Sequence, residues 1–191
     1  MNFIPTYALY GESRSDESEF FIHCETIASR SEKHQWRIKP HKHARFLQIL
    51  HVSQGWCESW IEGREAHFGS GGIVVVPAGI SHGYRFSADV DGHVLTIVAD
   101  SAEQLFPEHQ RIARWFNLHH FFETSHSDDS LDDLNIALQR FAGEYEQRRV
   151  GRSLSLDLQL RMILLQIYRM YHESNEDEFL SPSDVDGRLL S

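Results

Sequence analysis

Positive charge is in short supply in this 191-residue sequence: 18 lysines and arginines stand against 28 aspartates and glutamates, a formal net charge of −10 with histidine neutral. Duplex DNA is held by clustered Lys and Arg that displace counterions from phosphates, so this segment is not expected to bind DNA alone. The charge runs that stand out are acidic, Asp128-Asp129 and Glu173-Ser174-Asn175-Glu176-Asp177-Glu178. Cysteine is scarce as well. Cys24 and Cys57 make no disulfide framework and read as free thiols in a reducing compartment. No apolar run reaches the length of a membrane span. Met1 to Tyr10 lacks the charged-then-apolar order of a secretory leader. A cytoplasmic setting, away from membranes, is the expectation.

What the first half does contain is short β-rich segments: Phe20 to Ile27, Phe46 to Val52, Trp56 to Ile61, Ile73 to Val76 and Val94 to Val98. Turn formers stand between nearly all of them, namely Pro40, Gly55, Gly63, Gly69-Ser70-Gly71-Gly72, Pro77-Ala78-Gly79 and Gly92. Such spacing predicts an antiparallel sandwich or barrel, because the long helical patterns that a parallel sheet needs are missing. Farther on the period changes. Ser130, with Asp133 three residues later, is placed to cap a helix. Leu131, Leu134, Leu138, Phe141 and Tyr145 follow at steps of three and four, and Gly151 is placed to end that helix. A second helix from Ser153 or Ser155 carries Leu156, Leu160, Ile163, Ile167 and Met170. Leu158, Met162 and Leu165 give it another stripe, so it is expected to be covered on two sides.

The predicted architecture is therefore mainly β: a barrel over residues 1–100 behind a short N-terminal arm, helices over 101–175, and an acidic linker over 176–191. The helical seam admits two uses, packing on the barrel or facing a second copy. The single narrow stripe of the first helix, Leu131 to Tyr145, favours a homodimer seam there.

Chemistry concentrates in two stretches. Pro40-His41-Lys42-His43 runs on to Phe46-Leu47-Gln48 and, six residues later, Gly55; Gly71 is followed after five residues by Pro77-Ala78-Gly79-Ile80-Ser81-His82, then Phe86. Two histidines one residue apart on a strand share a face, and a third arriving from a later turn completes three nitrogen donors for a divalent ion. These stretches resemble the two motifs of the cupin superfamily in their His-x-His, Gly55, Gly71-to-Pro77, Gly79 and His82 spacings, which implies a jelly-roll-like cupin barrel. Three departures stand out. Gln48 occupies the position of the family's glutamate, Phe86 that of its asparagine, and no glycine stands five residues before the histidine pair.

By that resemblance His41, His43, Gln48 and His82 are candidate ligands for zinc, nickel, iron or manganese. A neutral amide brings no charge to a dication, which favours reading the same residues as the hydrogen-bonding wall of a pocket. Cupin-like sugar-phosphate isomerases use a glutamine ligand, which keeps the metal reading open. His119, His120 and His126 read as surface or helix-edge residues.

A narrower resemblance rests on Arg30-Ser31, His34, Trp36-Arg37-Ile38, Pro40-His41, His43 and Phe46-Leu47-Gln48, continued by Val75-Val76-Pro77-Ala78-Gly79, His82-Gly83-Tyr84-Arg85-Phe86 and Val94-Leu95-Thr96. It is to AraC-family activators of 4-hydroxybenzoate and 4-hydroxyphenylacetate catabolism. In that family the barrel binds the effector, trailing helices dimerise, and a further domain with two helix-turn-helix units binds DNA. The resemblance thus implies an effector-sensing, dimerising piece of a transcription regulator, with the DNA-binding part outside these residues. A small aromatic acid needs cations for its carboxylate and flat walls for its ring. Candidate donors are Arg37, Arg45, Arg85 and the histidine cluster, with Gln48 a further effector contact; candidate walls are Trp36, Trp60, Tyr84 and Phe86. With His82 pointing inward, alternation sends Tyr84 and Phe86 inward and Arg85 outward. The competing function is a cupin metalloenzyme, a dioxygenase or isomerase built on His41, His43 and His82, against which Gln48 counts.

Overall fold

The longest strand of the protein, Phe46–Gln54, is buried along six consecutive residues, Leu47 to Val52. An antiparallel strand with one wet face would alternate. This one is sandwiched on both sides, and the rest of the fold explains why. The computed structural model describes residues 22–124 and 129–175. The strands are β1 (Ile22–Thr26), β2 (Arg37–His41), β3 (Phe46–Gln54), β4 (Cys57–Ile61), β5 (Arg64–Phe68), β6 (Gly72–Val76), β7 (His82–Phe86), β8 (Asp91–Val98) and β9 (His120–Glu123). All pairs are antiparallel, in a five-stranded sheet ordered β1-β8-β3-β6-β9 and a four-stranded sheet ordered β2-β7-β4-β5. Face to face they form a cupin-type barrel.

Side-chain alternation divides β3 between two cores. Leu50 and Val52 point into the barrel and meet Cys57, Phe68, Tyr84, Phe86 and Val94. Leu47 and Ile49 point outward and meet the helices. Those helices are α1 (Ile27–Ser31), α2 (Ser101–Leu105), α3 (Gln110–Trp115), α4 (Asp129–Glu146) and α5 (Arg152–Ser174). The first strand was expected to run through Ile27. It stops earlier because the Ser29 amide donates to Thr26 Oγ1 at 3.1 Å, which caps the one-turn helix α1.

The expected division at residue 100 does not separate two packing units. Strand β9 lies beyond it yet pairs with β6, and α4 and α5 share one core with Leu47, Ile49, Leu95 and Ile97. The expected linker over 176–191 lies outside the described residues, as do residues 1–21, which take in the expected N-terminal arm and the start of the strand expected from Phe20.

Both long helices are present as an antiparallel pair. Gln166 Nε2 donates to the Ser130 carbonyl at 2.9 Å at one end, and Arg152 donates to the Glu144 and Tyr145 carbonyls at the other. Details differ from expectation. Helix α4 begins at Asp129, ahead of Ser130, and ends at Glu146. Gly151, with φ +77°, starts α5 rather than ending α4, because only glycine takes that left-handed backbone cheaply.

The larger correction concerns the stripes. Leu131, Leu134, Leu138 and Phe141, assigned above to a dimer seam, are at most 5% exposed inside a single chain, with Tyr145 half-buried beside them. The outer face of the five-stranded sheet needs an apolar cover, and α4 supplies it. Conversely, of the expected second stripe of α5, Leu158 and Met162 are 54% and 63% exposed and Leu165 is half-buried, with Leu154 64% exposed as well, so among the described residues that face is largely open. Among the described residues, no helix is long and apolar enough to cross a membrane.

Candidate functional site

Backbone geometry brings the two motif stretches together. His41 on β2 stands opposite His82 on β7, with the ladder interrupted between Ile38 and His41. Pro40 has no amide to give a ladder, so a break there costs little. Gly83 permits the approach, since a Cβ on it would lie 2.9 Å from the Pro40 nitrogen. His43 sits in the turn after β2, and its carbonyl accepts from the Gly79 amide at 2.8 Å, fastening the first motif to the Pro77-Ala78-Gly79 turn.

The result is a compact buried cluster. Ring centroids lie 4.4 Å apart for His41 and His82, 4.9 Å for His41 and His43, and 5.5 Å for His43 and His82. Potential donor atoms of the three all fall within 4.8 Å of one another. His41 Nδ1 is 2.9 Å from the Lys39 carbonyl and His82 Nδ1 is 3.0 Å from the Ile80 carbonyl. A carbonyl only accepts, so both rings carry their proton on Nδ1 and direct an Nε2 lone pair inward. Burial, reinforced by neighbouring imidazoles, pushes His41 down to about 4 and His82 to about 3, and the Arg30 guanidinium adds to both. At neutral pH His41 and His82 are uncharged.

Gln48 completes the cluster. Its Oε1 is 3.0 Å from His82 Nε2, while its Nε2 donates to Thr96 Oγ1 at 3.2 Å. A neutral His82 whose proton sits on Nδ1 sets two lone pairs against each other at that 3.0 Å contact. A cation relieves the conflict by taking both. Without a cation, the amide turns so that its nitrogen donates to His82 and its oxygen accepts from Thr96. The donor set of three buried imidazoles and one amide oxygen therefore fits a divalent ion, with no ligand charge to offset it.

Beside the cluster lies a narrow cavity with about 320 Å³ of empty space, counting space that opens to solvent, lined by Ile27, Arg30, Ser31, Ile38, His41, Gln48, Leu50, Tyr84, Phe86 and Val94. Tyr84 and Phe86 are stacked at 5.7 Å and 27° and form its aromatic wall. Burial pushes the Tyr84 hydroxyl up, so it stays protonated.

Of the sequence-predicted effector contacts, Gln48, Tyr84 and Phe86 line this cavity. The others do not. Trp60 faces outward, with Nε1 donating to Glu65 at 2.7 Å, because Cys57, Ser59 and Ile61 take the inward positions of β4. Arg37 stands opposite Arg85 on the outer surface, and Arg45 is exposed in the turn before β3. Arg85 points out as alternation predicts, paired with Glu58 at 2.5 Å and lying over the Trp56 ring. Trp36 packs half-buried on the interior core outside the cavity, in a left-handed backbone shared with Gln35. The cation of the cavity is Arg30, which the pocket argument passed over. It follows the β-rich run around Phe20 to Ile27, and only the weak capping of Thr26 signals the turn that aims it inward. Far from this site, His119 is exposed and His120 stacks half-buried on Trp115 at 3.9 Å; His126 lies outside the described residues.

Residues 23–181 match the AraC-like ligand binding domain family. The chain belongs to that family. Among solved structures, an apo ToxT variant from Vibrio cholerae superposes with a TM-score of 0.50 at 9% identity, over 83% of this chain and 59% of that one, a likeness of fold alone. KdgF from Halomonas sp. is 30% identical over 32% of this chain and 58% of its own, with a TM-score of 0.32. The cupin domain of Cnp3 from Schizosaccharomyces pombe is 14% identical over 51% of this chain and 64% of that one, at 0.34. These two superpose too poorly to carry argument. The chain thus spans little more than half of the ToxT and KdgF chains it matches. No curated protein sequence matches it. An AraC-like ligand-binding domain senses an effector for a transcription regulator.

Proposed function

We propose that this domain senses a small aromatic carboxylate for a cytoplasmic AraC-type regulator, as an effector-binding homodimer rather than an enzyme. The observation that carries the reading is the pairing, in one cavity, of a stacked aromatic wall, Tyr84 and Phe86, with one guanidinium, Arg30. Planar rings pack on such walls and carboxylates pair with such forks. The resemblance to activators of 4-hydroxybenzoate and 4-hydroxyphenylacetate catabolism points to the same ligand class. His41, His43 and His82, with Gln48, would hold a divalent ion if one is resident, and that ion would supply a Lewis-acid anchor for a ligand oxygen. The neutral Gln48 disfavours the redox chemistry of a carboxylate-ligated iron enzyme. The dimer seam belongs on the exposed Leu154, Leu158 and Met162 face of α5.

Calorimetry against hydroxylated benzoates and phenylacetates tests the ligand: binding is expected with 1:1 stoichiometry per chain. Sugars binding while every aromatic acid fails would overturn the reading. Elemental analysis of wild type and His41→Ala decides the ion separately.

A further inference from the structure

Among the described residues Arg30 is the one permanently charged side chain in the cavity lining, and it is already paired. Its Nη1 lies 2.5 Å from Glu25 Oε1 on β1, with both side chains about one-fifth exposed. The next residue, Ser31, is fully buried, lines the same cavity, and its hydroxyl has no hydrogen-bond partner among the described residues. A buried hydroxyl left unmet costs free energy unless something in the cavity meets it. A guanidinium and an unmet hydroxyl donor side by side form an anion seat, and an internal carboxylate shares the guanidinium.

Glu25 is tied to a second element. Its Oε2 lies 3.8 Å from His23 Nε2, and His23 Nδ1 lies 3.2 Å from the Tyr145 hydroxyl near the end of α4. Tyr145 in turn carries Arg152 of α5 over its ring at 5.2 Å. One ion pair thus stands between the cavity and the turn that joins the long helices.

We infer that Arg30 and Ser31 are the carboxylate-recognition end of the cavity, and that Glu25 is an internal anion which the effector's carboxylate displaces from Arg30. This rests on the proposed sensing role and names its recognition residues and its outlet. Ser31 Oγ–H and the Arg30 fork donate to the ligand carboxylate, and Glu25 swings to His23, changing the contact that His23 makes with α4. Glu25 also acts as a filter. A neutral ligand cannot compete for the guanidinium, so acids are selected over amides of the same shape.

The test titrates 4-hydroxybenzoate and 4-hydroxybenzamide by calorimetry into wild type, Arg30→Gln, Arg30→Lys, Ser31→Ala and Glu25→Gln, each checked for folding by circular dichroism. Wild type prefers the acid by at least about tenfold, as a charge-assisted pair should. Arg30→Gln abolishes that preference and leaves amide affinity within about twofold, while Arg30→Lys retains part of it. Ser31→Ala weakens the acid only. Glu25→Gln, which removes the competitor, tightens the acid several-fold, and the His23 imidazole resonances that move with acid in wild type no longer do. An acid preference that survives Arg30→Gln overturns the anion seat. Weaker acid binding in Glu25→Gln overturns the exchange. If wild type binds neither aromatic probe, the aromatic reading fails, and octanoate against octanamide decides the anion seat: an Arg30-dependent preference for octanoate sustains it, and no preference overturns it.

Discussion

Helices α4 and α5 are neighbours of similar apolar content that place their leucines in opposite ways. The stripe of α4 is narrow and wholly interior, with Leu134 and Phe141 at 0% exposure. Helix α5 carries two stripes: Leu160, Ile163 and Ile167 face the same interior, while Leu154, Leu158 and Met162 face water. From sequence the narrow stripe looks like a seam and the broad helix looks sandwiched. The structure turns the narrow stripe inward because the sheet beneath must be covered, and it leaves one face of α5 open to solvent. A clean amphipathic stripe measures fit to a chain's own core as readily as fit to a second copy.

The contrast breaks most visibly at Leu138, 2% exposed. Leu138→Asp puts a carboxylate into that interior and is expected to cost at least about 4 kcal/mol, enough to leave no cooperative unfolding transition. A folded, merely monomeric variant would return α4 to the role of seam. Leu158→Asp is the counterpart. It should keep a melting temperature within a few degrees of wild type, because Leu158 touches mostly solvent, yet shift sedimentation from dimer to monomer. A wild type that is monomeric at micromolar concentration sinks the α5 seam outright.

A smaller effect tests the interior shared by sheet and helices. His51 follows Leu47 and Ile49 by alternation onto the face beneath the helices. It is 1% exposed, and neither ring nitrogen has a hydrogen-bond partner among the described residues. Burial pushes it down to about 4, with His93 opposite lowering it further and Asp91 opposing. The folded form therefore binds fewer protons than the unfolded chain between pH 6.5 and 4. Stability is fully present above about 6.5 and falls on acidification through that window, by up to about 3 kcal/mol from this one group. His51→Phe should flatten that slope in chemical denaturation across pH 7 to 4; a variant as acid-labile as wild type would show that other groups set it.

Much of the fold was legible because hydrophobic period and turn formers are local signals. The strands around Leu50, Trp60 and Val75 and both long helices are readable in that way. Strand β5, Arg64 to Phe68, was not, because an exposed hairpin arm with three charged or imidazole side chains lacks apolar alternation. Strand β9 was hidden likewise, its identity set by an open edge on β6. In the site, histidine spacing located the cluster, and alternation from His82 oriented Tyr84, Arg85 and Phe86. Arg30 escaped because its inward aim is decided by a one-turn helix seated against β8, a tertiary fact.

Strand order has a consequence in time. The five-stranded sheet receives its last edge only when residues 120–123 arrive, and its outer face is covered only once α5, ending at Ser174, has followed. At about 5–20 residues per second of synthesis, the face holding Leu47, Ile49, Leu95 and Ile97 waits several seconds or more after β8 emerges. A nascent chain interrupted in that interval presents an apolar sheet to its neighbours, so slow codons between residues 99 and 174 should cost soluble yield more than the same codons placed before β3.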